Sequence, residues 1–223
     1  GRLYNEASAR GSALVLGLVR ASDDGSNYFN SVAALGAEGV GWYDKHHLVP
    51  FAEFFPVPKF VRRWLRLMSL PYSDFTPGPA VQPPLNAAGL SLAAGVCYED
   101  AYGSTLARAL PRADALVNVT NDAWFGHSTA RYQHFQIARM RAIEAGRFLV
   151  RAANDGVSAV IGPRGEVVAR APEYTATVLR ATITPRTGLP PYARVGNWAI
   201  VMLAVAACAA AITRRRSARE LRN

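Results

Sequence analysis

The sequence predicts a layered α/β domain followed by one apolar helix, on three observations. From residue 90 to residue 161, short apolar runs alternate with segments of helical period. Before them, residues 13–45 read as strands joined by Gly- and Asp-containing turns. After them, residues 197–213 carry no charge, and five arginines crowd into the last ten positions.

The elements follow in order. Gly1 to Glu6 read like the end of a helix, an abrupt opening expected of a fragment. Residues 13–19 are apolar throughout and predict a buried strand, too short to span a membrane. Asp23-Asp24-Gly25-Ser26-Asn27 is a turn signal, residues 28–35 alternate as a strand, and a further extended segment starts at Gly41. Residues 48–70 are rich in aromatics with Lys59, Arg62, Arg63 and Arg66 interleaved. Over 57–70 this suits a short amphipathic helix, which either packs on the core like any other or meets lipid, aromatics at the interface and arginines at phosphates. Residues 71–84 are Pro-rich and read as a loop. A strand at 90–96 ends at Cys97, a helix at 103–110 is broken by Pro111, and a second strand at 115–120 ends at Asn121-Asp122. Residues 132–146 have the period of a long helix. A strand at 148–152, a hairpin of 156–161 with 166–169 around Gly162-Pro163-Arg164-Gly165, and a last strand at 175–184 complete the domain, which ends near Pro191.

Half of the 223 residues are hydrophobic and 18% are charged, a globular composition with an apolar surplus and length enough for a buried core. The formal net charge is +9. Its distribution argues against nucleic-acid binding: the excess lies in Arg214, Arg215, Arg216, Arg219 and Arg222, directly after the charge-free stretch, and is thinly spread elsewhere. At 1.5 Å per residue that stretch reaches roughly 25 Å, against a hydrocarbon core of ~30 Å. Length alone leaves a buried core helix open. Tyr192, Arg194 and Trp198 at one end and the arginines at the other favour a membrane span at 192–213, with 214–223 as a basic cytoplasmic tail and the domain of residues 1–191 on the opposite face.

The two cysteines, Cys97 and Cys208, are poor disulfide partners, because Cys208 sits within the apolar run. Cys97 stands where a strand stops and a helix begins soon after, a junction whose backbone N–H groups favour a thiolate and an oxyanion; the alternative is an inert buried thiol. A nucleophilic thiol needs a proton acceptor and a stabiliser for the tetrahedral oxyanion. His46, His47, His127 and His134 have no spacing that marks any of them. Lys45 is better placed to supply positive charge, and Glu53, eight positions on, to bond that ammonium; both also read as solvated surface charges. The His and Cys positions lack metal-ligand spacing, so neither metal nor cofactor is expected.

These residues carry a resemblance. Tyr43-Asp44-Lys45-His46-His47-Leu48-Val49-Pro50-Phe51-Ala52-Glu53-Phe54 resembles the lysine segment of the nitrilase superfamily, and Gly95-Val96-Cys97-Tyr98-Glu99 its nucleophile segment. Asn118 to Gly126, Gln133 to Ala142 and Thr187 to Arg194 are similar to one branch, the apolipoprotein N-acyltransferases, and the likeness runs over essentially the whole chain. It implies a nitrilase-type αββα sandwich, partial here, with Cys97 as nucleophile, Lys45 on the oxyanion, Glu53 and Glu99 as supporting carboxylates, and Tyr98, Asn121, Trp124, Phe51 and Phe54 shaping the substrate site. It implies acyl transfer from a phospholipid, through a Cys97 thioester, to the N-terminal amine of a diacylated apolipoprotein, at the bacterial inner membrane with the catalytic domain periplasmic. The family's general-base glutamate lies further upstream of the lysine than 44 residues. Neither Glu6 nor Glu38 sits in a matching segment, so an inactive fragment lacking that base is expected. The rival readings are a membrane-anchored amidase or nitrilase, which hands the acyl group to water, and a non-catalytic membrane-bound binding domain.

Overall fold

The computed structural model describes residues 2–57, 61 and 75–220. The basic helix expected over 57–70 falls mostly outside these.

Helix α1 (Arg2–Ala9) leads into β1 (Ala13–Ala21), β2 (Tyr28–Gly36) and β3 (Gly39–Asp44), an antiparallel meander in that order. The strands β4 (Leu85–Ala87), β5 (Leu90–Val96), β6 (Ala115–Asn121), β7 (Leu149–Asn154), β8 (Ala159–Ile161) and β9 (Val167–Arg170) form a second sheet in sequence order. In it β5, β6 and β7 are parallel and the flanking pairs antiparallel. Parallel neighbours need crossovers. Helix α2 (Gly103–Ala109) lies between β5 and β6, and α3 (Ala130–Ala145) between β6 and β7.

The period of two along the parallel strands sorts their side chains between two cores. Leu92, Ala94 and Val96 with Val117 and Val119 face the meander, where they meet Val32, Ala34 and Tyr43. Ala93, Leu116 and Leu149 point the other way, onto Leu106 of α2 and Phe135, Ala138 and Ala142 of α3. Helices therefore pack on one face of the large sheet and a second sheet on the other, with α1 against β1 and β2. This is the layered α/β arrangement expected. Phe135, Ala138, Ala142 and Ala145 recur at helical spacing, which is why α3 forms and which face it buries. The helix stops at Gly146, whose φ of +59° is the left-handed cap and whose N–H reaches back to Ala142 and Ile143 carbonyls.

Three expectations need correction. The strand at 13–19 forms, as β1, but it is not buried: Leu16, Leu18 and Val19 are exposed. Among the described residues β1 pairs only with β2, and an all-apolar run cannot show which of its faces is covered. Residues 175–184 form no strand. Ile183 packs on the inter-sheet core while Val178 stays 80% exposed. Alternation sorts side chains between faces, but a strand forms only where its backbone groups bond to a neighbouring strand, and residues 175–184 join neither sheet. Third, after α4 (Pro191–Val195), residues 198–220 form helix α5 (Trp198–Glu220), exposed from 198 to 214. Among the described residues no helix is long and apolar enough to cross a membrane, because the charge-free stretch is short and arginines follow it at once.

Candidate active site

The site lies at the C-terminal ends of the parallel strands, where side chains from successive strands converge beyond the last ladder bonds. β5 ends at Val96, and a 3-10 turn (Cys97–Ala101) begins at Cys97. Cys97 has φ +51°, left-handed and unfavourable for a side chain bearing Cβ. The thiol is thus presented on a sharp, held bend, and it is half-buried.

Glu99 is what holds the bend to the neighbouring sheet. Its Oε2 accepts from the Val96 N–H at 2.9 Å, while Oε1 accepts from the His46 N–H at 2.8 Å and the His47 N–H at 3.0 Å. The Tyr43 hydroxyl donates to both oxygens at 3.1 Å. One carboxylate, buried to 1% exposure, therefore clamps the segment carrying Lys45 to the turn carrying Cys97. Burial pushes the Glu99 carboxyl above its usual range, and the three backbone donors and the Lys45 charge hold it back. Burial and the Glu99 charge push the Tyr43 phenol upward, so it stays a donor.

Lys45 is itself buried, and its Nζ lies 2.7 Å from Glu53 Oε2. The sharp turn through Val49 and Phe54 brings Glu53 back to it. The Glu53 N–H donates to the Val49 carbonyl at 2.9 Å, Glu53 Oε2 accepts from the Val49 N–H at 2.8 Å, and Asn30 Nδ2 donates to Oε1. Phe51 takes φ +64° in this turn and is 69% exposed; Phe54 is half-buried and bridges Pro50. Asp44 is fixed by Arg20 at 2.6 Å and by Ser31.

Of the residues singled out from the sequence, the structure joins Lys45, Glu53, Glu99 and the Cys97 turn into one bonded assembly. Tyr98 is exposed and meets Tyr102 edge to face, and Tyr102 stacks on His47 with ring centroids 4.0 Å apart. Asn121 and Trp124 are not drawn in. Asn121 is exposed and accepts from the Ala123 N–H, and Trp124 is 84% exposed on the 3-10 turn Ala123–Phe125. Neither Glu6 nor Glu38 approaches the site: both are exposed, the one paired with Arg2, the other accepting from the Gly89 N–H.

Sequence reasoning missed a buried polar group beneath Cys97. Gly95, Asn118 and Arg151 are register partners across β5, β6 and β7. Arg151 donates to Asn118 Oδ1 at 2.8 Å, to Asp100 Oδ2 at 3.0 Å and to Asp122 Oδ2 at 3.0 Å. His134 of α3 places Nδ1 2.9 Å from Asp122 Oδ1, and Nε2 3.0 Å from Asp100 Oδ1 and 3.2 Å from the Cys97 carbonyl. Asn118 Nδ2 donates to the same carbonyl at 3.3 Å. Burial disfavours the charged ring, but the hydrogen bonds and charges of Asp100 and Asp122 outweigh it and raise His134 to about 9. Burial likewise pushes Asp122 upward, and His134 and Arg151 overcome it, leaving that carboxyl below its usual range. The available signal was a polar residue inside an apolar strand: Asn118 in Ala115–Asn121 and Arg151 in Leu149–Asn154.

The comparisons place the chain in a family. The family model for carbon-nitrogen hydrolase matches residues 2–189. The chain is 47% identical over 200 residues to an apolipoprotein N-acyltransferase of Chromobacterium violaceum, which covers 90% of this chain and 39% of that protein. It is 42% identical over 214 residues to one of Methylococcus capsulatus, covering 96% and 42%. The chain thus spans about two fifths of the length of these curated relatives. Among solved structures it is similar to a carbon-nitrogen hydrolase from Helicobacter pylori, with a TM-score of 0.57 at 21% identity over 76% of this chain and 61% of that one. A CN-hydrolase superfamily protein from Xanthomonas campestris gives 0.58 at 20% identity over 81% and 66%. At these identities the two structures speak for the fold alone.

Proposed function

The chain belongs to the carbon-nitrogen hydrolase family, and from that premise we propose that it carries the acyl-transferring site of an apolipoprotein N-acyltransferase, with Cys97 as nucleophile. The supporting observation is the single carboxylate of Glu99, which ties the strained Cys97 turn to the segment bearing the buried Lys45–Glu53 pair.

In this reading Cys97 Sγ attacks an ester carbonyl of a phospholipid while a base takes the thiol proton. The Lys45 ammonium, held in place by Glu53, stabilises the tetrahedral oxyanion in a site shielded from water. Collapse expels the lysophospholipid alkoxide, which takes up a proton, and leaves a thioester on Cys97. The α-amine of a diacylglyceryl-cysteine then attacks the thioester, forming the amide and returning the thiolate. Glu6 and Glu38 lie on the surface away from this site. Neither is proposed as the base that takes the thiol proton. Exposed aromatics of Phe51, Tyr98 and Trp124 face lipid. The chain works at the inner membrane, with the catalytic domain periplasmic; the support is the exposed apolar surface of α5, with Trp198 at one end and Arg214 at the other.

The test is intact-mass spectrometry of the protein expressed from its whole gene, after incubation with diacyl phospholipid vesicles, beside Cys97→Ala. An acyl mass on the parent only, removed by hydroxylamine, is expected. Release of free fatty acid with no acceptor dependence points instead to a hydrolase, and no adduct together with no release refutes the reading.

A further inference from the structure

The proposed mechanism makes no use of the buried group beneath Cys97, although that group touches the backbone of the nucleophile itself. Asp100, Asp122 and Arg151 are each 0–2% exposed and His134 is 6% exposed. With the ring charged, two carboxylates face two cations and the group is neutral. With the ring neutral, or absent, one negative charge remains uncompensated in the low-dielectric space against the Cys97 carbonyl, and a negative charge close to a thiol disfavours its thiolate.

We propose that His134 is a positioning residue for Cys97, whose doubly donating ring, braced by Asp122 and Asp100, holds the Cys97 carbonyl and keeps the buried group against that carbonyl electrically neutral. This rests on Cys97 as the nucleophile, and it adds a component on which the lysine and glutamate chemistry is silent.

The geometry supports it in three ways. First, Nδ1 at 2.9 Å from Asp122 and Nε2 at 3.0 Å from Asp100 are both donor positions toward carboxylates, and a neutral imidazole donates from one nitrogen only. Second, the same Nε2–H lies 3.2 Å from the Cys97 carbonyl, beside the Asn118 amide at 3.3 Å. Two donors thus meet on the carbonyl of a residue whose φ of +51° has to be imposed from outside. Third, among the described residues the ionisable groups bonded to the ring are Asp100 from the nucleophile turn, Asp122 from the end of β6 and Arg151 from β7. Arg151 lies 3.0 Å from Nδ1 and opposes the ring charge, but both converge on the Asp122 carboxylate. The burial of Phe135, Ala138 and Ala142 anchors α3 against the sheet, so the ring is delivered from a rigid face.

The test reads the thiol directly, independently of lipid. In a Cys208→Ser background, which removes the exposed second thiol, the rate of Cys97 alkylation by iodoacetamide is followed at fixed pH 7.5. His134→Gln, which keeps a donor but loses the charge, is expected to slow alkylation about tenfold, the effect of roughly one pH unit. His134→Gln with Asp122→Asn restores neutrality and is expected to recover most of the rate, which a purely structural lesion would not. A folded His134→Gln variant that alkylates at the parent rate overturns the proposal, as does a double variant no faster than the single. The parent offers a check should the variants not fold: NMR of its ring nitrogens at pH 7.5 is expected to show both protonated on His134, and a neutral ring overturns the proposal. Normal alkylation behaviour with no acyl adduct on phospholipid would instead count against the acyltransferase reading while leaving this one standing.

Discussion

Replacing Glu99 with glutamine changes one oxygen to an amide nitrogen and nearly nothing in volume. Oε1 accepts two backbone N–H groups and Oε2 a third, with the Tyr43 hydroxyl shared between them. Whichever way the amide is turned, its NH2 faces at least one backbone donor at 2.8–3.0 Å. A buried donor left without an acceptor costs about 1–3 kcal/mol. Part of that is offset because the amide no longer has to hold a charge that burial disfavours. The expected loss is therefore ~2 kcal/mol, and Glu99→Ala, which strands every donor, should lose roughly twice as much. The assay is urea unfolding, in which Glu99→Gln should lower the midpoint by about 1 M at unchanged slope. Iodoacetamide labelling of Cys97 in the same samples reports whether the turn has lost its register. A midpoint within about 0.2 M of the parent, with unaltered labelling, would refute the idea that this carboxylate clamps the Lys45 segment to the Cys97 turn.

Other outcomes follow from the same geometry. His134 is raised to about 9 in the folded chain from an ordinary value of 6.5. Its contribution is therefore complete below pH ~6.5 and is lost as pH climbs through about 9, a difference of about 3 kcal/mol at most. Stability of the parent minus that of His134→Gln, measured by urea unfolding across this window, should shrink with rising pH; a constant difference contradicts the assignment. Lys45→Met leaves Glu53 half-paired and should cost about 3 kcal/mol. Lys45→Met with Glu53→Leu should regain much of that in the same measurement yet form no acyl-enzyme. At Gly156 an added Cβ would stand 2.4 Å from Asp122 Oδ2 and 2.7 Å from its Cβ. Gly156→Ala should therefore push Asp122 off His134 and Arg151, lowering the thermal midpoint and slowing Cys97 alkylation together.

The order of strands and helices from residue 90 to residue 170 was legible because it rests on local facts. Apolar runs of strand length at 90–96 and 115–120, a helical period at 132–146 and a Gly-Pro-Arg-Gly turn are each written within a few neighbouring residues. The same holds for Lys45, Glu53, Cys97 and Glu99, whose flanking patterns are contiguous. Where the sequence failed, the deciding partner was distant. Residues 175–184 alternate like a strand but pair with neither sheet. The apolar run of β1 reads as buried, although only the position of its sheet determines which side chains are covered. Asn121 and Trp124 sit in a matching segment yet face outward, while Asn118, three residues earlier, turns its amide to the Cys97 carbonyl.

By itself, then, the chain's sequence determined its fold class from period and composition, and its family and a short roster of candidate side chains from contiguous segments that resemble known ones, all of them local along one strand of covalent bonds. Only the tertiary structure decided that Glu99 is a clamp rather than a bystander, and that His134, unmarked among four histidines, is the one locked between two aspartates against the Cys97 carbonyl. Hydrogen bonds between residues 30 to 60 positions apart are made by the packing of the meander on the large sheet, the register of the parallel strands and the seating of α3 on them, and no local pattern encodes that meeting.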